Sequence, residues 1–177
     1  MIIHTIKGKT PVIGSDCFVA ETAAVLGDVT IGDNCSLWYG AVVRGDDNSI
    51  RIGSRVSVQD CVVIHVSEGE NGEVVIGDDV VLGHNATIHA AKIGNHCLVG
   101  MGATVLDGAV VEDGSMVAAG ALVLGRTHIG KGELWGGVPA KFIKNISPEV
   151  VTRTIDEGVK SYVEWAKVYS EVLSAGE

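Results

Sequence analysis

The chain has 177 residues and a mass of 18.4 kDa; it is 46% hydrophobic and 20% charged, which allows a core in one domain and excludes disorder. A net charge of −9 makes nucleic acid and anionic membrane surfaces poor partners, and no apolar run approaches the roughly 18 residues that span a bilayer. Glycine is frequent (24) and proline rare (3), which excludes collagen, while 28 valines and 15 isoleucines against 8 aromatics favour strands packed by small branched side chains.

At the N-terminus, Met1–Lys7 is too short in its apolar part to read as a secretory leader, so a cytoplasmic protein is expected. The four cysteines, Cys17, Cys35, Cys61 and Cys97, form no CxxC pair, so neither a zinc finger nor a redox motif is indicated.

From residue 13 onward a short Ile-Gly signal recurs: Ile13-Gly14, Ile31-Gly32, Ile52-Gly53, Ile76-Gly77, Ile93-Gly94 and Ile129-Gly130. Stepping by six residues between these points gives a ladder of aliphatic rungs. It runs Ile13, Val19, Val25, Ile31, Leu37, Val43; Ile52, Val58, Ile64; Ile76, Leu82, Ile88; and Ile93, Val99, Val105, Val111, Val117, Val123, Ile129. Two residues before most rungs stands a small or branched side chain, among them Cys17, Ala23, Cys35, Ala41, Ala86, Cys97, Ala103 and Ala109. A large and a small residue that both point inward would fill a narrow interior at close packing. The pattern resembles the hexapeptide-repeat family over about residues 10–140. That resemblance implies an all-β left-handed parallel β-helix, three hexads to a triangular coil of 18 residues.

The rhythm breaks in three places. Three residues are added around Asp46-Asp47-Asn48, six around Ser67–Gly72, and one is missing between Ile88 and Ile93. Insertions in a solenoid become loops at one corner, often on the binding side. Beyond Ala140 the repeat stops. We expect a β-helix domain over 1–140, then a linker and an amphipathic helix over 141–177. Ser147-Pro148-Glu149 reads as a helix start, and Val151, Ile155, Val159, Tyr162, Ala166, Tyr169 and Leu173 form one apolar stripe to lie along the solenoid flank.

Of six histidines, His65 and His89 each follow the third rung of consecutive coils, 24 residues apart, one coil plus the six-residue insertion. They should stack about 4.8 Å apart, close enough to share one metal. His84 follows the middle rung Leu82 by two and should project from another side, so it would meet the pair only from a neighbouring copy. His4, His96 and His128 lack this register and read as structural or surface residues.

The stretch Arg44-Gly45-Asp46-Asp47-Asn48, Ile52-Gly53, Val58–His65, Gly83-His84 and His89 resembles the gamma-class carbonic anhydrases, and the length and C-terminal helix resemble their short bacterial branch. The resemblance implies that His65, His84 and His89 hold zinc, or iron or cobalt, between protomers of a homotrimer. It further implies an Arg44–Asp46 salt bridge across the subunit interface near the metal, Gln59 orienting the solvent nucleophile, Asp60 bracing the site, and Glu68 and Asp47 in proton transfer. The implied reaction is reversible hydration of a small substrate, carbon dioxide. Asp47 stands where the founding members carry glutamate, and the loop after His65 is shorter than theirs. Each residue also has a plainer reading: Arg44 and Asp46 closing a corner, Asp60 capping a turn, Asp47 and Glu68 solvated, Cys17, Cys35 and Cys97 as core thiols, Tyr162 as packing. Two other functions fit the same coil: a coenzyme A-dependent hexapeptide acyltransferase with a histidine base, and a metal-binding trimer without catalysis.

Overall fold

A computed structural model describes residues 1–175. It is a left-handed parallel β-helix of about seven turns, followed by a C-terminal helix. The rungs pair with one another, coil to coil. On the first face Ile13, Ile31, Ile52, Ile76, Ile93, Val111 and Ile129 are Cα partners. The second face stacks Val19, Leu37, Val58, Leu82, Val99, Val117 and Trp135. The third stacks Val25, Val43, Ile64, Ile88, Val105 and Val123, with Ile3 of an N-terminal strand, Ile2–His4, paired below Val25.

From Val25 to Ile129 no rung is more than 4% exposed, and the small register between them is equally buried. Ile13 and Val19 are only partly covered, because they sit in the first coil. Stacked aliphatics of one shape fill the interior without voids, and each coil's backbone groups are satisfied by the coils above and below.

The recurrent glycine has a steric cause. A Cβ on Gly14 would lie 2.5 Å from Asp33 Oδ1, and one on Gly53 would lie 2.3 Å from Asp78 Oδ1. Those carboxylates accept the backbone N–H of Ser15 and Ser54, so the corner of one coil is capped by the side chain of the next. Only a residue without Cβ lets the two approach that closely.

Both insertions lie at the corner between the third and first faces. The strand Val42–Ile52 continues across that corner beside Ala24–Ile31, which joins those two faces into one twelve-stranded sheet. At the far end, Glu133–Gly136 and Lys141–Asn145 pair antiparallel. The segment expected as plain linker therefore begins with a strand, which covers the open edge of the second face.

The helix begins at Pro148, with Ser147 in extended conformation before it. Ser147 caps through its backbone, its carbonyl accepting from Val150 and Val151, while its hydroxyl engages the Glu149 carboxylate. After Pro148–Val151 the chain makes a π-turn over Thr152–Asp156 and continues as an α-helix over Glu157–Ala175. The stripe spacing explains the π-turn: two successive steps of four, Val151 to Ile155 to Val159, outrun a period of 3.6, and a wider turn keeps all three on one side. Ile155 and Val159 pack on Val81 and Met116 of the second face. Tyr162 and Tyr169 meet Trp38 edge-on at 5.6 and 5.1 Å, and Tyr169 reaches Phe18. His96, at a corner, bonds Asp156 at 3.0 Å and ties the π-turn to the solenoid. No helix among the described residues is long and apolar enough to cross a membrane.

Candidate metal centre

One column of the third face gathers three of the candidate site residues. Arg44, His65 and His89 are Cα partners on successive coils, each directly after a buried rung. Their side chains emerge together at the corner that bears the insertions. His65 Nδ1 and His89 Nε2 face each other at 3.2 Å.

The other nitrogen of each ring is taken by a carboxylate from an adjacent coil. His65 Nε2 lies 3.1 Å from Asp46 Oδ1, and His89 Nδ1 lies 2.7 Å from Asp107 Oδ1. Partial burial opposes the charge on Asp46, but hydrogen bonds from Arg44 and His65 outweigh it and hold the carboxyl below its usual range. At Asp107 a hydrogen bond from Ser67 has the same effect, aided by His89. An ionised carboxylate only accepts, so both rings donate outward and turn a lone pair toward each other. At 3.2 Å the two facing nitrogens are close enough to share one proton or one cation. Two nitrogens of a tetrahedral zinc at 2.0–2.1 Å would stand about 3.3 Å apart.

His84 lies at a different corner, in the turn between Val81–Leu82 of the second face and Thr87–His89 of the third. Its Nδ1 is 2.8 Å from Asp60, and its backbone N–H donates to Gln59 Oε1 at 3.0 Å. That bond settles the direction of the buried Gln59 amide and leaves its NH2 as the donor. His84 and Asp60 open into a cavity of about 260 Å³ with Trp38, Tyr39, Tyr162 and Trp165. Burial and the nearby Asp60 carboxylate push the Tyr162 phenol up. The stripe tyrosine thus packs on Trp38 and also borders the cavity beside His84.

Within one chain, then, the structure brings His65 and His89 together with Arg44 and Asp46, and sets His84 apart with Gln59 and Asp60. Arg44 donates to Asp46 inside the chain. Asp47 is bonded by Lys7 at 2.9 Å, and Glu68 stands exposed in the six-residue insertion, its charge also felt by Lys7. Asp46, Asp47 and His65 form a compact donor group among the described residues, but Arg44 and Lys7 already neutralise its two acids. Cys35 and Cys97 are buried in the inner register, and Cys61 is exposed on a corner away from it. Lys7, Ser67 and Asp107 escape sequence reasoning. The one available signal was periodic: Asp107 lies one coil beyond His89, just past the residue that follows rung Val105.

The coil, the capped corners and the interior ladder define a hexapeptide-repeat β-helix protein. The model described as bacterial transferase hexapeptide (six repeats) matches residues 10–45 and 90–125. The chain belongs to the gamma-class carbonic anhydrase family within that group. It is 35% identical to a carbonic anhydrase of Geobacillus kaustophilus over 95% of this chain and 91% of that protein. It is 45% identical to the mitochondrial gamma carbonic anhydrase 2 of Arabidopsis thaliana over 92% of this chain, yet spans only 59% of that protein's length. Among solved structures, a hexapeptide transferase family protein from Anaplasma phagocytophilum superposes with a TM-score of 0.89 at 39% identity, covering 95% of this chain and 98% of that one.

Proposed function

We propose that the protein is a metal-dependent enzyme for the reversible hydration of carbon dioxide. The cation, zinc or alternatively iron or cobalt, would be held by His65 and His89 of one protomer and His84 of the next in a homotrimer. The observation that carries this reading is the pair of imidazoles whose carboxylate-backed rings turn facing lone pairs toward one point. His84 supports it: its ring has the same carboxylate backing, from Asp60, and makes no bond to His65 or His89 among the described residues, so a neighbouring copy would bring it to the pair. When bound by three imidazoles, such a cation supplies the acidity that makes water a nucleophile near neutral pH.

The chain's own groups do the rest. Asp46, Asp107 and Asp60 fix ring orientation, which raises the basicity of the ligating nitrogens. Gln59, its carbonyl committed to His84, offers its NH2 to orient the attacking oxygen. Arg44 balances the Asp46 charge beside the pair. Glu68 and Asp47 would pass the released proton to solvent, and Lys7 bonds Asp47 at 2.9 Å.

The test is metal content per chain together with mass in solution, then stopped-flow hydration. One metal per chain, a trimer, and hydration abolished by chelation are expected; a fully loaded trimer with no rate above background leaves a binding protein only. The transferase description of the solved relative keeps the acyltransferase reading in view. Retention on immobilised coenzyme A by metal-free protein would favour it.

A further inference from the structure

We infer that Asp107, held by Ser67, is a positioning residue that sets the ring of His89 for a cation. This rests on the reading of His89 as a ligand and adds a group outside the set implied by the family pattern. An exposed acid on a coil corner is ordinarily a solvated one. Asp107 departs from that on two counts. Its Oδ1 lies 2.7 Å from His89 Nδ1, and its Oδ2 accepts from Ser67 Oγ at 2.5 Å. Both oxygens are therefore committed, each to a different coil.

The backbone at this point is also fixed from both sides. The Gly108 N–H donates to Ala90 O at 2.7 Å, and the Asp107 carbonyl accepts from Arg126 at 2.9 Å. The carboxylate thus stands on the ladder itself. It obliges His89 to carry its proton on Nδ1, which turns the Nε2 lone pair toward His65. Ser67 belongs to the six-residue insertion, so the same bond fastens that loop to the coil of Asp107.

The experiment uses the whole protein and the variants Asp107→Ala, Asp107→Asn and Ser67→Ala. Nitrogen-15 NMR of the histidine rings in metal-free protein, at a pH where they are neutral, reads the His89 tautomer directly. Wild type should show the proton on Nδ1. Asp107→Ala should move it toward Nε2, the form free histidine favours in water. Zinc and cobalt affinities, measured by chelator competition, should fall 10- to 100-fold in Asp107→Ala, less in Asp107→Asn, and least in Ser67→Ala. The cobalt visible spectrum should change with them, which a merely structural role would not produce.

An unaltered tautomer in both Asp107 variants, or metal affinity within twofold of wild type, overturns the inference. Wild-type protein that takes up no metal overturns the metal reading instead, while the tautomer measurement still decides whether Asp107 orients His89.

Discussion

Carboxylates give the imidazoles of this protein their direction. Asp46, Asp60 and Asp107 each take one ring nitrogen, and the nitrogens left over are the ones the proposed cation would use. Replacing His65 or His89 by alanine should abolish metal retention, as measured by elemental analysis, while leaving the coil intact, since both side chains lie outside the buried ladder. A different pH dependence comes from the interior. Burial pushes the Cys97 thiol up to about 11, from an ordinary value of 9.0. A folded pKa above the unfolded one means stability that is complete below about pH 9 and is lost as pH rises toward 11. Denaturant midpoints should therefore fall between pH 9 and 11, and fall less in Cys97→Ala, judged against each variant's own midpoint at pH 8. A parallel fall in both proteins would refute the assignment.

At the scale of elements, the repeat is held by what each coil presents to the next. In Gly53→Ala the new methyl meets the Asp78 carboxylate and the Gly77 carbonyl, so the corner must open. We expect a loss of about 1–3 kcal/mol in urea unfolding. Ile155, fully buried where the π-turn packs on the second face, should cost about 2–5 kcal/mol on truncation to alanine. The ladder of rungs could be read from the sequence because hexad spacing and chemical type repeat together, and the stacked His65 and His89 followed from it. Local pattern did not disclose the strand Lys141–Asn145, whose partner Glu133–Gly136 is antiparallel in a chain of parallel coils. Nor did it show the π-turn, which answers the geometry of the flank it packs on. Asp107 and Lys7 were missed for the same reason: each reaches the site from another coil or from the N-terminal segment, and no short motif contains both partners.

For the whole molecule, the separation of His84 from His65 and His89 makes assembly a condition of the proposed site. Chains carrying His84→Ala and chains carrying His65→Ala should each bind no metal alone. Refolded together, every mixed trimer contains one boundary where an intact pair meets an intact His84. Metal should return to one site per mixed trimer, with a matching fraction of hydration activity. No recovery in mixed trimers, with wild type fully loaded, would place the third ligand within a single chain.

The sequence by itself determined the coil and the order of its faces, because inward positions recur every six residues and tolerate only aliphatic or small side chains. It also determined that His65 and His89 stack, since both are counted from rungs. The tertiary structure alone decided which nitrogen of each ring is spent on a carboxylate, that Gln59 and Asp60 belong to the corner of His84, and that Ser67 and Asp107 join the pair. Those contacts run between coils, across gaps of 18 to 40 residues, where side-chain reach and ring orientation rather than spacing decide who meets whom.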